Sequence, residues 1–389
     1  MQLRRAVILV IDSFGAGEAP DAAEFGDAGA DTIGHVAEAV GGLELPNFQA
    51  AGLGNLHGAV LGVPPAQAPG MAFGRLAKAS AGKDSMTGHW EIAGLITLEP
   101  FATFEDGFPP SLIDELERAG GHKLLGNYPA SGTVIIEELG REHFETGRPI
   151  IYTSADSVLQ LAAHESVMPL EELYRLCRVA REIADGHHIG RVIARPFKGE
   201  LGAFSRGYER RDYAMAPPQP TLLDNAQQAG LTVVGVGKIE DLFSGRGLTS
   251  AIHTEGDADG MEQTIAALDG LDRGLVFTNL VDLDTRYGHR ENPVGYAEGL
   301  RLIDRYLPRL VAALGDNDLL IVTADHGNDP TDADTDHTRE LVPLLAHGPR
   351  AAGVDLGIRE QYSDAAATVA EGFDLPRPER GRSFFAEIT

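Results

Sequence analysis

DLLIVTADHGND, residues 318–329, joins two kinds of sequence without a break. Leu319–Val322 is a short, uniformly apolar run of the kind a strand shows when it is buried on both faces. It passes directly into Asp325-His326-Gly327-Asn328-Asp329, and a second polar cluster, Asp334-Thr335-Asp336-His337-Thr338, follows closely. A core strand that ends in carboxylates and imidazoles implies an open α/β sheet, because such sheets bind ligands beyond the carboxyl ends of their strands.

The same pattern recurs along the chain. Apolar strand-like runs at Ala6–Ile11, Leu231–Val236, Leu275–Val281 and Leu341–Ala346 alternate with helical stretches at Thr32–Val40, Gly260–Leu268, Gly295–Leu314 and Asp364–Gly372. Asp31 and Ser363 stand where the caps of the first and last of these helices belong. This alternation predicts a mostly parallel sheet between helices. The stretch between Thr97–Phe101 and Tyr213–Pro220 has proline at both ends and its own elements: helices over Ser111–Ala119 and Leu170–Asp185, and strands over Pro149–Thr153 and Gly190–Ala194. It reads as an inserted smaller α/β domain, residues 99–217, within a core made of residues 1–98 and 218–389.

Composition excludes several classes. The 389 residues carry a formal net charge of −26, which disfavours nucleic acid and anionic membrane surfaces as partners. A small phosphorylated substrate stays open, since a bound cation can invert the local field. The single cysteine, Cys177, permits no internal disulfide. It lies on the apolar stripe Leu170, Leu173, Leu176, Ala180 and reads as a small core residue. The apolar run at the start of the chain is only about six residues long, too short for a signal h-region or a membrane span. A cytoplasmic protein is the expectation, with its oligomeric state open.

Three predicted strands end in metal-ligand residue types. The first ends in Asp12, Leu275–Val281 runs into Asp282, Asp284 and His289, and Leu319–Val322 leads to Asp325, His326 and then His337. A single such aspartate is usually a cap or a loop carboxylate. Three at one sheet edge repel one another unless positive charge lies between them, and two divalent cations would supply it. Imidazole ligands favour manganese or zinc over magnesium. GKDSMTGHWEIAG, residues 82–94, fails the P-loop pattern, because Asp84 follows Lys83 and the glycine spacing is wrong. It leaves a hydroxyl-rich turn, Ser85 to Gly88, ahead of a possible helix. Ser85 there is either an ordinary cap or a nucleophile facing free N–H groups and the positive end of a helix dipole. Asp156, Arg191, Arg195, Arg206, Arg210, Arg211 and Lys238 are candidate contacts for a substrate, the cations as phosphate grips, although most surface arginines are simply solvated.

Taken together, IDSFGAGEAPDA, GADTIGHVAE, GKDSMTGHWE, YTSADSVLQLAAHE, GRVIARPF, NLVDLDTRYGHR and TADHGNDPTDADTDHTRE resemble the bacterial phosphopentomutases of the alkaline phosphatase superfamily, in family order across nearly the whole chain. The resemblance implies an alkaline-phosphatase-like core with an inserted cap. It implies two manganese ions, one held by Asp12, Asp325 and His326 and the other by Asp284, His289 and His337. Ser85 would be the phosphorylated nucleophile where the family usually has threonine, with Thr87 as the second candidate. Ser154, Asp156, Arg191, Arg206 and Lys238 would contact the sugar phosphate. The implied reaction interconverts ribose 1-phosphate and ribose 5-phosphate, and the 2-deoxyribose pair, through a phosphoserine enzyme and a 1,5-bisphosphate that also acts as primer. The cap would close to keep water out. A phosphatase or a cofactor-independent phosphoglycerate mutase on the same core is the alternative.

Overall fold

The computed structural model describes residues 2–56, 60–154, 157–333 and 335–389. They divide into two units, one formed by the chain up to Glu99 together with Pro217–Thr389, the other by Pro100–Ala216. The strands in chain order are β1 (Arg5–Ile11), β2 (Ala72–Leu76), β3 (Leu125–Pro129), β4 (Ile150–Thr153), β5 (Val158–His164), β6 (Arg191–Glu200), β7 (Ala203–Arg206), β8 (Arg211–Ala214), β9 (Thr232–Val236), β10 (Ser250–Ile252), β11 (Gly274–Leu280), β12 (Asp318–Thr323), β13 (Val342–His347) and β14 (Asp355–Arg359).

The first unit is built on an eight-stranded sheet in the order β10-β9-β11-β1-β12-β13-β2-β14. Only β13 runs against its neighbours, β12 and β2; the other pairings are parallel. β1 lies between β11 and β12, with Arg5 in register with both Gly274 and Asp318. From Ala6 to Ile11 it is wholly buried, as are β11 and β12 along their length. Helices on both faces impose that burial, and it explains why these strands are mostly apolar rather than alternating. Because the three strands are parallel neighbours, their carboxyl ends open on one edge, and residues about 300 positions apart in sequence become adjacent there.

Asp31 caps helix Thr32–Ala39 by accepting from the Gly34 N–H, as its side chain is suited to do. The last long helix begins at Ser363, with Tyr362 at the capping position. The expected cap therefore lies inside the first turn, buried, and its hydroxyl has no hydrogen-bond partner there.

The second unit has its own sheet, β3-β4-β5-β6-β7, with β8 also paired to β6. One face buries Leu112, Leu116, Leu173, Leu176, Cys177 and Ala180, from helices Pro110–Gly120 and Leu170–Asp185. The other buries Ile135, Ile136, Tyr152 and Phe197 under helix Gly132–Thr146. Burial pushes the Cys177 thiol pKa upward, so it is a packing residue rather than a nucleophile. No helix among the described residues is long and apolar enough to cross a membrane.

Candidate metal centre and nucleophile

All but one of the ligand candidates follow the end of a core strand; His337 comes from the connection between β12 and β13. Asp12 follows β1 directly. β11 runs into a π-helical turn, Leu283–Tyr287, that carries Asp284, and the next turn carries His289. Asp325 and His326 follow β12. Ligand atoms of Asp12, Asp325 and His326 all lie within 4.8 Å of one another, and so do those of Asp284, His326 and His337. His326 thus belongs to both groups by distance. Its Nε2 is 3.4 Å from Asp12 Oδ1 and 3.2 Å from Asp325 Oδ2, and its ring stacks on that of His337 with centroids 3.8 Å apart. His289 Nε2 lies 3.4 Å from Asp284 Oδ2 and 3.2 Å from His337 Nε2. The sequence set is therefore brought together at one edge.

The imidazoles are oriented from behind. His326 Nδ1 contacts the Gly327 carbonyl at 3.0 Å and His289 Nδ1 the Thr335 carbonyl at 2.6 Å. A ring that donates from Nδ1 presents its Nε2 lone pair to the other side, the arrangement metal-bound histidines use. Asp12 Oδ1 and Asp325 Oδ2 are fully buried and accept no well-formed hydrogen bond, meeting only imidazole nitrogens at 3.2–3.4 Å. Unsatisfied buried carboxylate oxygens cost several kcal/mol unless something cationic meets them, so carboxylate oxygens with imidazole nitrogens fit divalent cations of borderline softness.

The titration behaviour has the same origin. Burial raises the Asp12 pKa well above the usual carboxylate range, and the charges of Asp325 and Asp284 raise it further. Burial also opposes ionisation of Asp325, but His326 and His89 outweigh it and hold that carboxyl low. The hydrogen bond to Asp284 lifts His289 to about 9 against its own desolvation.

Ser85 is the first residue of helix Ser85–Ile92, and its Oγ is 3.0 Å from His326 Nε2. Asp84 caps the helix by accepting from the Thr87 N–H at 2.9 Å. The Thr87 hydroxyl, wholly buried, donates to Asp84 Oδ2 at 2.9 Å and lies 3.1 Å from the Asp84 carbonyl. Thr87 is therefore engaged in the cap, while Ser85 faces the ligand cluster. The helix sits against the end of β12 so closely that a Cβ on Gly88 would come within 2.5 Å of the Asp325 carbonyl oxygen.

The proposed substrate contacts fall in both units. Lys238, just beyond β9, is near enough to draw the Asp12 pKa down. In the second unit Ser154 follows β4 and Arg191 begins β6, with β5 between these strands. Arg206 ends β7 and joins Arg195 and Arg210 in acting on the buried Tyr152 hydroxyl. Asp156 lies outside the described residues.

Several participants are absent from the sequence reading. Asn279 donates to Asp12 Oδ2 at 3.0 Å, and Asn328 to Asp284 Oδ1 at 3.0 Å. His89 Nδ1 lies 2.9 Å from the Ser85 carbonyl and 3.2 Å from Asp325 Oδ2. Lys78, nearly buried, donates to the Asp84 carbonyl at 3.1 Å. Glu340 accepts from Thr32 N at 2.9 Å and from the Thr338 hydroxyl at 2.6 Å. Asn279 carries a signal legible in one dimension, an amide inside the largely apolar run GLVFTNL, while Asn328 stands within the Asp325–Asp329 cluster and His89 close to the Ser85 turn.

This sheet, with two Asp/His groups at its carboxyl edge, defines a metalloenzyme, and the sequence model of the Metalloenzyme superfamily matches residues 4–377. A phosphoglycerate mutase from Leishmania mexicana shares the fold, with a TM-score of 0.52 at 13% identity over 98% of this chain and 97% of that one. A phosphopentomutase from Anaeromyxobacter dehalogenans is 54% identical over 99% of both chains. One from Caldanaerobacter subterraneus is 53% identical over 99% of this chain and 98% of its own. The chain belongs to the phosphopentomutase family.

Proposed function

We propose that the protein interconverts ribose 1-phosphate and ribose 5-phosphate, and the 2-deoxyribose pair, through a phosphorylated Ser85. The observation that carries this reading is the position of the Ser85 hydroxyl: at a helix N-terminus, 3.0 Å from His326 and beside both Asp/His groups. Asp12, Asp325 and His326 would hold one divalent cation and Asp284, His289 and His337 the other, with manganese as the favoured metal over zinc or magnesium. When bound, the pair neutralises charge on a transferring phosphoryl group and lowers the pKa of an attacking or departing hydroxyl.

The remaining work belongs to the chain. The Asp84 cap holds the first turn so that its N–H groups and dipole face the phosphoryl group on Ser85. The free hydroxyl of a bound monophosphate attacks that phosphorus. As its O–P bond forms, the bond from phosphorus to Ser85 Oγ breaks, and the proton lost by the attacking hydroxyl ends on Ser85 Oγ. The product is the 1,5-bisphosphate. Ser85 Oγ then attacks the other phosphate; the bond from that phosphorus to the sugar oxygen breaks, the serine proton ends on that oxygen, and the isomeric monophosphate leaves the regenerated phosphoenzyme. An enzyme that has lost its phosphoryl group needs a bisphosphate primer. Lys238, Arg191, Arg206, Ser154 and Asp156 are proposed to grip the sugar phosphate, and residues 99–217 to form the substrate-binding cap. Lys238, whose charge draws the Asp12 pKa down, would supply positive charge to the phosphate.

The test is phosphorus NMR of manganese-loaded protein with ribose 5-phosphate and a trace of ribose 1,5-bisphosphate. A growing ribose 1-phosphate signal is expected. Inorganic phosphate as the sole product would replace this reading with a phosphatase. Ser85→Ala is expected to abolish transfer and retain manganese; turnover at the wild-type rate would remove Ser85 from its role.

A further inference from the structure

The residue after Asp12 is in an unusual conformation. Ser13 has φ +69°, one of the few non-glycine residues in the left-handed region, where an L side chain crowds the backbone. It is wholly buried, so nothing in solvent compensates for the strain. Such residues persist only where their surroundings over-determine them. Here the Ser13 carbonyl accepts the Gly15 N–H at 2.8 Å and the Tyr296 hydroxyl at 2.8 Å. The Ser13 N–H is directed at Asp325 Oδ1, 3.4 Å away. Tyr296 is itself fully buried on helix Pro293–Ala312, whose first residues follow closely on His289.

The strain is thus tied to the ligand cluster on both sides. If Ser13 relaxed to an ordinary φ, its peptide planes would rotate. The Ser13 N–H would leave Asp325, and the Asp12 side chain would turn with its own carbonyl. The Tyr296 hydroxyl opposes that rotation, and it reaches the turn from the helix that begins beside the other Asp/His group.

We propose that Tyr296 is a positioning residue: its hydroxyl holds Ser13 in the left-handed conformation, and so aims Asp12 and Asp325 at a common cation beside Ser85. This rests on the metal assignment under the proposed function. It adds a residue that acts through Ser13, whose carbonyl its hydroxyl meets at 2.8 Å and whose own hydroxyl lies 3.4 Å away, rather than through a ligand side chain.

The test is a double-mutant cycle of Tyr296→Phe and Ser13→Gly. Glycine takes positive φ without strain, so the hydroxyl has far less to hold in the Ser13→Gly background. Three quantities are read: manganese affinity by calorimetry, exchange of the Gly15 amide in metal-free protein, and kcat with KM. With Ser13 in place, Tyr296→Phe is expected to weaken one of the two manganese sites by about 10-fold, in the range seen when an outer-shell partner is lost. Gly15 exchange should quicken, and kcat should fall by a similar factor with KM unchanged. In the Ser13→Gly background the same change should cost less than about threefold. Equal losses in both backgrounds would reduce Tyr296 to a packing residue and overturn the proposal, as would no loss in either. Calorimetry and amide exchange report on the turn even without turnover. A wild type that binds manganese but makes no ribose 1-phosphate therefore refutes the reaction and leaves the positioning role to be decided by the cycle.

Discussion

Asp84 offers a clean way to ask how firmly Ser85 is held. In Asp84→Ala the helix Ser85–Ile92 loses its cap, and the buried Thr87 hydroxyl loses one of its two acceptors, keeping the Asp84 carbonyl. Loss of a cap costs about 1 kcal/mol. Weakening the satisfaction of a buried hydroxyl adds about 1 kcal/mol more, so the expected destabilisation is about 2 kcal/mol. For a unit of this size that corresponds to a fall in melting temperature of roughly 3–4 °C. Asp84→Asn is the control. Its amide oxygen still accepts the Thr87 N–H, and its amide nitrogen can donate to the Thr87 oxygen while that hydroxyl turns to the residue 84 carbonyl. Asparagine caps as well as aspartate, so this variant should stay within about 0.5 kcal/mol of wild type. Thermal unfolding followed by circular dichroism gives the difference, and single-turnover phosphoryl transfer shows whether Ser85 is displaced. If the alanine and asparagine variants melt together, the cap does not hold this helix and the placement of Ser85 needs another cause.

Three further outcomes follow from other sites. Burial raises the Asp257 pKa to about 7, and its Oδ2 has no hydrogen-bond partner. A raised carboxyl destabilises the fold as pH climbs through that value, so Asp257→Asn should gain about 2–4 kcal/mol relative to wild type near pH 8 and little near pH 4; denaturant titrations at the two pH values check it. His143 is held neutral by two bonds, Nδ1 to the Arg148 carbonyl at 2.7 Å and the His164 N–H to Nε2 at 2.9 Å, and burial depresses its pKa below 6.5. The unfolded ring takes up a proton more readily, so stability is full above about pH 6.5 and is lost below it. Wild type should lose more on acidification than His143→Leu in the same denaturant assay. Asn279→Ala, which removes the donor to Asp12 Oδ2, should weaken manganese binding about 10–100-fold by calorimetry, and an unchanged affinity would contradict it.

The fold was legible where burial leaves little choice. β1, β11 and β12 are enclosed on both faces, so their sequences are dominated by apolar runs, Ala6–Ile11, Leu275–Phe277 and Leu319–Val322. β2 and β14 lie at the sheet's far end and are only partly buried; AFGRL and DLGIR carry no comparable run. Helix Gly132–Thr146 escapes a periodicity reading because GTVII opens it with glycine and β-branched residues, poor helix formers. Its Ser131 cap and the burial of Ile135 and Ile136 form it regardless. At the site, the ligand residue types at the strand ends can be read in one dimension. Their grouping cannot, since His326 approaches both Asp12 and His337. Asn279, His89 and Tyr296 are further removed still, because their importance lies in a single atom meeting a residue far along the chain, as with Tyr296 and Ser13, 283 positions apart.

The place of β1 between β11 and β12 has a consequence for how the chain is made. The strand that carries Asp12 emerges from the ribosome first, yet both of its partners come at least 263 residues later. At about 5–20 residues per second, β1 waits roughly 15–60 s for β12 to be complete. Until β11 is made, a strand with no polar side chain from Ala6 to Ile11 has both edges open, and one edge stays open until β12 follows; an open edge is the condition for pairing with a neighbouring chain. The inserted unit is one continuous segment, Pro100–Ala216, and can finish folding within the delay. The centre of the sheet therefore closes only once β12 is made, and β13 and β14 follow to complete the far side.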